Sequence, residues 1–188
     1  MYWDHSASVV CDDGVEKAYE RGSGNATEIN LILTAMLREA GFEADPVAVS
    51  TRSHGIPVFP TLEGFNYTLS RVKLAQGSLL LDATEKYGVP AILPERAINW
   101  VGYAIKKDGS SEQVSLLPKK PSKKVVYISA QLQPDGSAAG KVRLQHFDQF
   151  AFNFREKISD LDQELILENL ENNYFNSDIA VDDYEMLN

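Results

Sequence analysis

From Asn25 to Gly41 the apolar residues recur at helical spacing. Leu31, Ile32, Ala35, Met36 and Ala40 form a stripe, widened by Leu33 and Leu37. Asn25 is placed to cap the first turn, Glu28 three residues on completes a capping box, and Gly41 is a natural stop. The pattern predicts a largely buried helix over residues 26–40. Beyond it the chain turns extended. Residues 46–51 are β-rich and residues 65–74 read as a strand. Gln76-Gly77 turns the chain and residues 78–82 return, which predicts an antiparallel hairpin. Residues 90–96 are irregular, and residues 99–106 and 113–117 are further strands joined by the turn Asp108-Gly109.

Residues 119–124, Lys-Lys-Pro-Ser-Lys-Lys, leave little to pack and read as a solvated linker between a domain over 1–118 and a module over 125–188. In that module Val126, Ile128, Ala130 and Leu132 alternate with more polar neighbours, Pro134-Asp135-Gly136 turns the chain, and residues 141–152 run back with Val142 and Leu144 on one face. Phe147, Phe150, Phe152 and Phe154 read as sheet core around His146. Residues 160–171 read as a helix with Leu161, Leu165 and Leu170 on one side and Ser159 at its N-cap, while residues 179–188 have no clear pattern. A lone hairpin and helix have little core of their own. The module is therefore expected to be partial, either packed back on the first domain or awaiting strands from neighbouring domains of a longer chain. The fold class expected is α+β: a buried helix against an antiparallel sheet, then a partial β-rich module with one helix.

The net charge is −9, and residues 151–188 carry −8 of it, with ten acids against two bases. So acidic a chain lacks the charge to offset phosphate repulsion, which argues against a nucleic-acid partner. The single cysteine, Cys11, excludes a disulfide scaffold, and His5, His54 and His146 are too scattered to signal a metal. Neither a metal nor another cofactor is expected. No apolar run approaches the ~18 residues that cross a membrane, so membrane insertion is not expected. The opening residues have no basic start or continuous apolar core, and do not read as a signal peptide.

Three motifs stand in order on these elements. Gly24-Asn25-Ala26-Thr27-Glu28 opens the helix that ends Leu37-Arg38-Glu39-Ala40-Gly41, Phe65-Asn66-Tyr67 begins a strand, and Asp82-Ala83-Thr84 ends the next. Together they resemble the transglutaminase-like superfamily, and more closely its bacterial members of unknown function that carry β-rich modules on both sides. The resemblance covers residues 20–105. It implies a papain-like core with a Cys at the first turn of the helix, a His on one strand and an Asp on the next. A thiol there would be acidified by free backbone N–H groups and the helix dipole, the His would take its proton, and the Asp would orient the His.

On that pattern the nucleophile position falls at Ala26, the histidine position at Tyr67 and the third at Asp82, so two of the three groups are absent. Alanine has no nucleophile, and a phenol with an ordinary pKa of about 10 is a poor base at neutral pH. The resemblance thus implies a catalytically inactive module with a scaffold or binding role in a larger exported bacterial protein, periplasmic or secreted. Alternatives are a cysteine-independent peptidase or amidase with a rearranged site, and a carbohydrate- or peptide-binding module. The last would use the old substrate groove, lined by Asn66, Tyr67, Asp82 and Trp100, with a peptide, protein or carbohydrate as ligand.

The remaining chemistry-bearing residues read as structural. Tyr67 is expected to fill the old cleft, and the Asp82 carboxylate to accept hydrogen bonds from Tyr67 or from backbone. Cys11 lies outside the motif beside Asp12 and Asp13, where acids oppose ionisation. Thr27 and Ser23 lie near the helix start with no histidine to activate them, His54 sits in a loop, and His146 is a strand residue.

Overall fold

The computed structural model describes residues 1–59, 61–174 and 179–187. The chain forms two compact units, Met1–Ser122 and Lys123–Asn188.

In the first unit two short strands, β1 (Tyr2–Trp3) and β2 (Ser23–Gly24), pair in parallel, with α1 (Val15–Arg21) between them. No stripe announces α1, because Ala18 is its only buried residue; it ends on Gly22 at φ 73°, whose N–H reaches back to the carbonyls of Ala18 and Tyr19. Next comes α2 (Ala26–Glu39), opened by the expected capping box: Asn25 accepts from the Glu28 N–H at 2.9 Å and Glu28 from the Asn25 N–H at 3.0 Å. Strands β3 (Glu43–Val49), β4 (Tyr67–Leu74), β5 (Gly77–Leu81), β6 (Val101–Ile105) and β7 (Ser111–Ser115) form an antiparallel sheet in the order β5-β4-β3-β6-β7. The architecture is mixed α/β with an antiparallel sheet. Pro46, which has no N–H to donate, lies outside the stretch Val47–Ala48 where β3 pairs with β6.

The face that α2 buries differs from the apolar stripe. Ala26, Thr27, Glu28, Ile29, Asn30 and Thr34 are buried, whereas Ala35 and Ala40 are exposed and Met36 is 61% exposed. Polar groups win this face because β4 supplies partners. The Thr27 hydroxyl lies 2.6 Å from that of Thr68, and the Thr34 hydroxyl 2.7 Å from that of Ser70. Each buried hydroxyl is satisfied, so the usual penalty for burying it is not incurred. The apolar core lies among Val47, Val49, Tyr67, Leu69 and Ala104 with Ala26, Leu93, Ala97, Ile98 and Leu116. By the two-residue pleat, Arg71 shares a face with Tyr67 and Leu69. Its buried guanidinium meets Asp45 at 2.7 Å and Glu112 at 3.2 Å, tying β4 to β3 and β7.

In the second unit β8 (Lys124–Leu132) and β9 (Ala138–His146) form a two-stranded ribbon. The return strand ends at His146 rather than 152. The chain then bends through Asp148, at φ 51°, into α3 (Gln149–Ile158). The phenylalanines at 150, 152 and 154 therefore lie on a helix and not in a sheet core. Their alternate spacing mimics a strand, but only Phe152 is fully buried, and Phe154 stacks on His146 at 4.8 Å. Ser159 is the C-cap of α3; Asp162 instead accepts the Leu165 N–H at 2.9 Å as α4 (Gln163–Tyr174) begins. Among the described residues of this unit, Phe152, Ile158 and Ile166 are the buried apolar ones. The register sets Val126 opposite Leu144 and Ile128 opposite Val142. That apolar face stays open: Val126 is 47% and Ile128 69% exposed. Among the described residues no helix is long and apolar enough to cross a membrane.

At Gly102, β6 packs tightly against β3. A Cβ there would meet Val47 Cγ1 at 2.8 Å and the Ala48 carbonyl at 2.9 Å. Gly102→Ala is expected to lower stability by about 1–3 kcal/mol, the usual range for overpacking. Denaturant unfolding measures this, and an unchanged midpoint would show that β6 can shift freely.

Candidate functional site

The site grows from α2 and the strand it rests on. Asn30, fully buried one turn into the helix, directs its side-chain N–H groups at the carbonyls of Ala26 (3.2 Å) and Thr68 (2.9 Å) and at Asp82 Oδ1 (3.0 Å). Its carbonyl accepts the Ala83 N–H at 2.9 Å. One amide thus joins the helix start, β4 and the turn after β5. The motif residues Ala26, Tyr67 and Asp82 are thereby brought into one bonded network.

Asp82 meets both partners left open for it, Tyr67 and backbone. The Tyr67 hydroxyl donates to Asp82 Oδ2 at 2.8 Å, and Asp82 Oδ1 also accepts the Thr84 N–H at 3.0 Å and the Thr84 hydroxyl at 2.8 Å. The Asp82 side chain is 1% exposed and both its oxygens are occupied. Arg96 closes the other side. Its guanidinium donates to Tyr67 Oη at 3.0 Å and to the Thr84 hydroxyl at 2.9 Å, and it pairs with Glu85. Trp3 lies over Arg96, 4.2 Å from guanidinium carbon to ring centroid, and edge-on to Tyr67 at 6.4 Å.

Burial pushes the Tyr67 phenol well above its ordinary range, and the Asp82 carboxylate adds to that, with Arg96 opposing. The hydroxyl is therefore a proton donor here, not a base. Thr27, the hydroxyl nearest the helix start, is held between the Ser8 carbonyl and Thr68, and Ser23 accepts from Arg21 at 3.2 Å. The Cys11 thiol is pushed up by burial first and then by Glu28 and Asp12. His54 contacts the Glu63 carbonyl at 2.9 Å in an exposed loop. Burial, with Lys124 nearby, lowers His146.

The four residues proposed to line a groove divide. Asn66 is engaged with Thr51, accepting its N–H at 2.8 Å and donating to its hydroxyl at 2.9 Å. Trp100, half exposed with φ 58°, lines an open depression of about 380 Å³ with Arg52, Ile56, Ile98, Asn99 and Leu117. Asn66, Tyr67 and Asp82 are not part of its lining.

Sequence reasoning did not find Asn30, Glu85, Arg96 or Trp3, and named Thr84 only as the last residue of the Asp-Ala-Thr motif. Asn30 had a signal: an amide between Ile29 and Leu31, where burial demands partners. Arg96 and Trp3 had none, since only the fold brings the chain's opening residues over the turn that precedes β6.

Alkaline titration tests the network. A phenol held protonated in the folded chain above its usual value of about 10 contributes stability that is intact below that pH and lost as the pH rises past it. The absorbance titration of wild type minus that of Tyr67→Phe should show no step near pH 10, only a rise with unfolding. A normal step would contradict the burial and bonding of Tyr67. Comparison with protein families, curated proteins and solved structures finds no match to this chain.

Proposed function

We propose that the first unit is a transglutaminase-like domain whose catalytic position has become a closed, non-catalytic network. It would act as a scaffold or binding module of a larger exported bacterial protein, in the periplasm or outside the cell. The observation that carries this is the Tyr67 hydroxyl, locked between Asp82, Thr84 and Arg96 where the resemblance calls for a free base. The order of helix, strand and Asp-Ala-Thr turn, and their junction through Asn30, also support it. With Ala26 at the helix start there is no thiol to attack a substrate.

A rearranged peptidase or amidase has less support. Thr27 would need a base, and its bonded neighbours are a carbonyl and another hydroxyl. A binding role has an observation of its own. The depression beside Trp100 offers a half-exposed indole and the Arg52 guanidinium, whose Nε donates to the Ile98 carbonyl at 2.8 Å. An aromatic platform beside hydrogen-bonding edges suits a carbohydrate or a peptide.

Turnover assays on glutaminyl and thioester substrates test the reading. Loss of a triad nucleophile or base typically costs several orders of magnitude, so the wild type is expected to show no turnover above background. Ala26→Cys with Tyr67→His is expected to gain a weak, alkylation-sensitive activity. Wild-type turnover that persists in Asp82→Ala would overturn the proposal in favour of a rearranged enzyme.

A further inference from the structure

Residues 2–13 cross the start of α2 in a manner unlike the rest of the fold. The Tyr2 and Asp4 N–H groups donate to the carbonyls of Gly22 (2.8 Å) and Gly24 (3.1 Å). From there every second carbonyl is taken. Ser6 accepts the Ala26 N–H at 3.1 Å, Ser8 accepts the Thr27 hydroxyl, and Val10 accepts the Asn25 side-chain amide at 2.9 Å. The Asp13 N–H then donates to Glu28 Oε1 at 3.1 Å. Only Tyr2–Trp3 is strand; beyond it the segment bends, with His5 at φ 66° and side-chain turns at Asp4–Ser6 and Ser8–Val10, yet alternate carbonyls still meet the helix start.

The two sides of this contact differ in burial. Asn25, Ala26, Thr27 and Glu28 are all buried, yet no residue from 1 to 13 is; Trp3, Ser8, Val9 and Cys11 are half-buried and the others exposed. The segment lies on the unit as a ligand lies on a receptor. Withdrawing it would uncover donors (the Ala26 N–H, the Thr27 hydroxyl and the Asn25 amide) and acceptors (the Gly22 and Gly24 carbonyls and Glu28 Oε1) that water can satisfy, and would remove the apolar cover of Trp3. Its attachment rests on these hydrogen bonds, on Trp3, which packs on Arg96 and against the core, and on the Asp13–Arg21 ion pair at 2.8 Å.

We propose that the first turn of α2, strand β2 and the Arg96 guanidinium form a peptide-binding groove, filled in cis by residues 2–13. The ligand class is a peptide that pairs as a short strand, sets an aromatic residue on Arg96 and then turns through small residues such as Ser6-Ala7-Ser8. Main-chain recognition supplies affinity and the aromatic residue supplies register, as in other strand-addition sites. The covalent tether keeps the segment at high effective concentration, so a competing peptide gains access only when the tether is cut or the anchor lost. The inference deepens the binding role proposed above and rests on its non-catalytic reading.

The test keeps every residue of the chain. A protease site is inserted after Asp13, the protein is cut, and exchange of the cut segment is followed with a fluorescent peptide of residues 1–13. The expected result is that the cut protein keeps its segment on gel filtration at high concentration and exchanges it for the labelled peptide. A labelled peptide carrying Trp3→Ala should bind at least tenfold more weakly, and the uncut protein should bind neither. Unfolding on cutting would overturn the proposal, because the segment would then be an integral part of the fold. So would retention without exchange, or equal binding of both peptides. Intact peptide after incubation fits the non-catalytic reading, whereas cleaved peptide would overturn that reading and leave the groove assignment standing.

Discussion

The buried amide of Asn30 is the constraint on which the first unit turns. It reaches the helix start, β4 and the turn after β5 with one rigid side chain, its bonds to Ala26 and Thr68 buried and those to Asp82 and Ala83 part-buried. An amide in such a place is costly unless every partner is present, and once they are it permits only one arrangement of the three elements. The hydroxyl pairs Thr27–Thr68 and Thr34–Ser70 extend the same logic along the helix. The interface between α2 and β4 is therefore held by geometry-demanding bonds as much as by apolar contact.

From that junction follows the state of the site. Asn30 holds Asp82 and Ala83, Asp82 takes the Tyr67 hydroxyl, and Arg96 covers the phenol while carrying Trp3 on its outer face. Each group satisfies the next, so the network is closed by its own hydrogen bonds. On the proposed reading, a position that chemistry once required to be open and polar has been closed by the least disruptive route: a larger phenol in the imidazole's place, neutralised from both sides. Binding then falls to surfaces outside the network, the ledge taken by residues 2–13 and the depression beside Trp100.

Much of this unit was legible in the residues. The capping box at Asn25 and Glu28 and the hairpin of β4 and β5 follow from local signals that depend on neighbours in sequence, whereas the Tyr67–Asp82 bond was reached through the resemblance. The buried face of α2 was not legible, because periodicity selects Leu31, Ala35 and Met36 by hydropathy alone, whereas the true face is chosen by what β4 offers in return. The aromatic run 150–154 misled for a related reason: two-residue spacing is a strand signal only if a sheet exists to receive it, and Asp148 redirects the chain into a helix instead. Arg96 and Trp3 joined the site from far along the chain, and no spacing rule connects them.

The account's central claim is that one side chain locks helix, strand and turn together, and the Ala83 amide reports on it directly. Ala83 is exposed and outside any strand, yet its N–H is held by the Asn30 carbonyl oxygen. Native-state hydrogen exchange should show that amide protected to the level of the β4 amides, with protection lost in Asn30→Ala while α2 remains helical. An Ala83 amide that exchanges at the rate of a free loop in the wild-type chain would contradict the lock and, with it, the closed site built upon it.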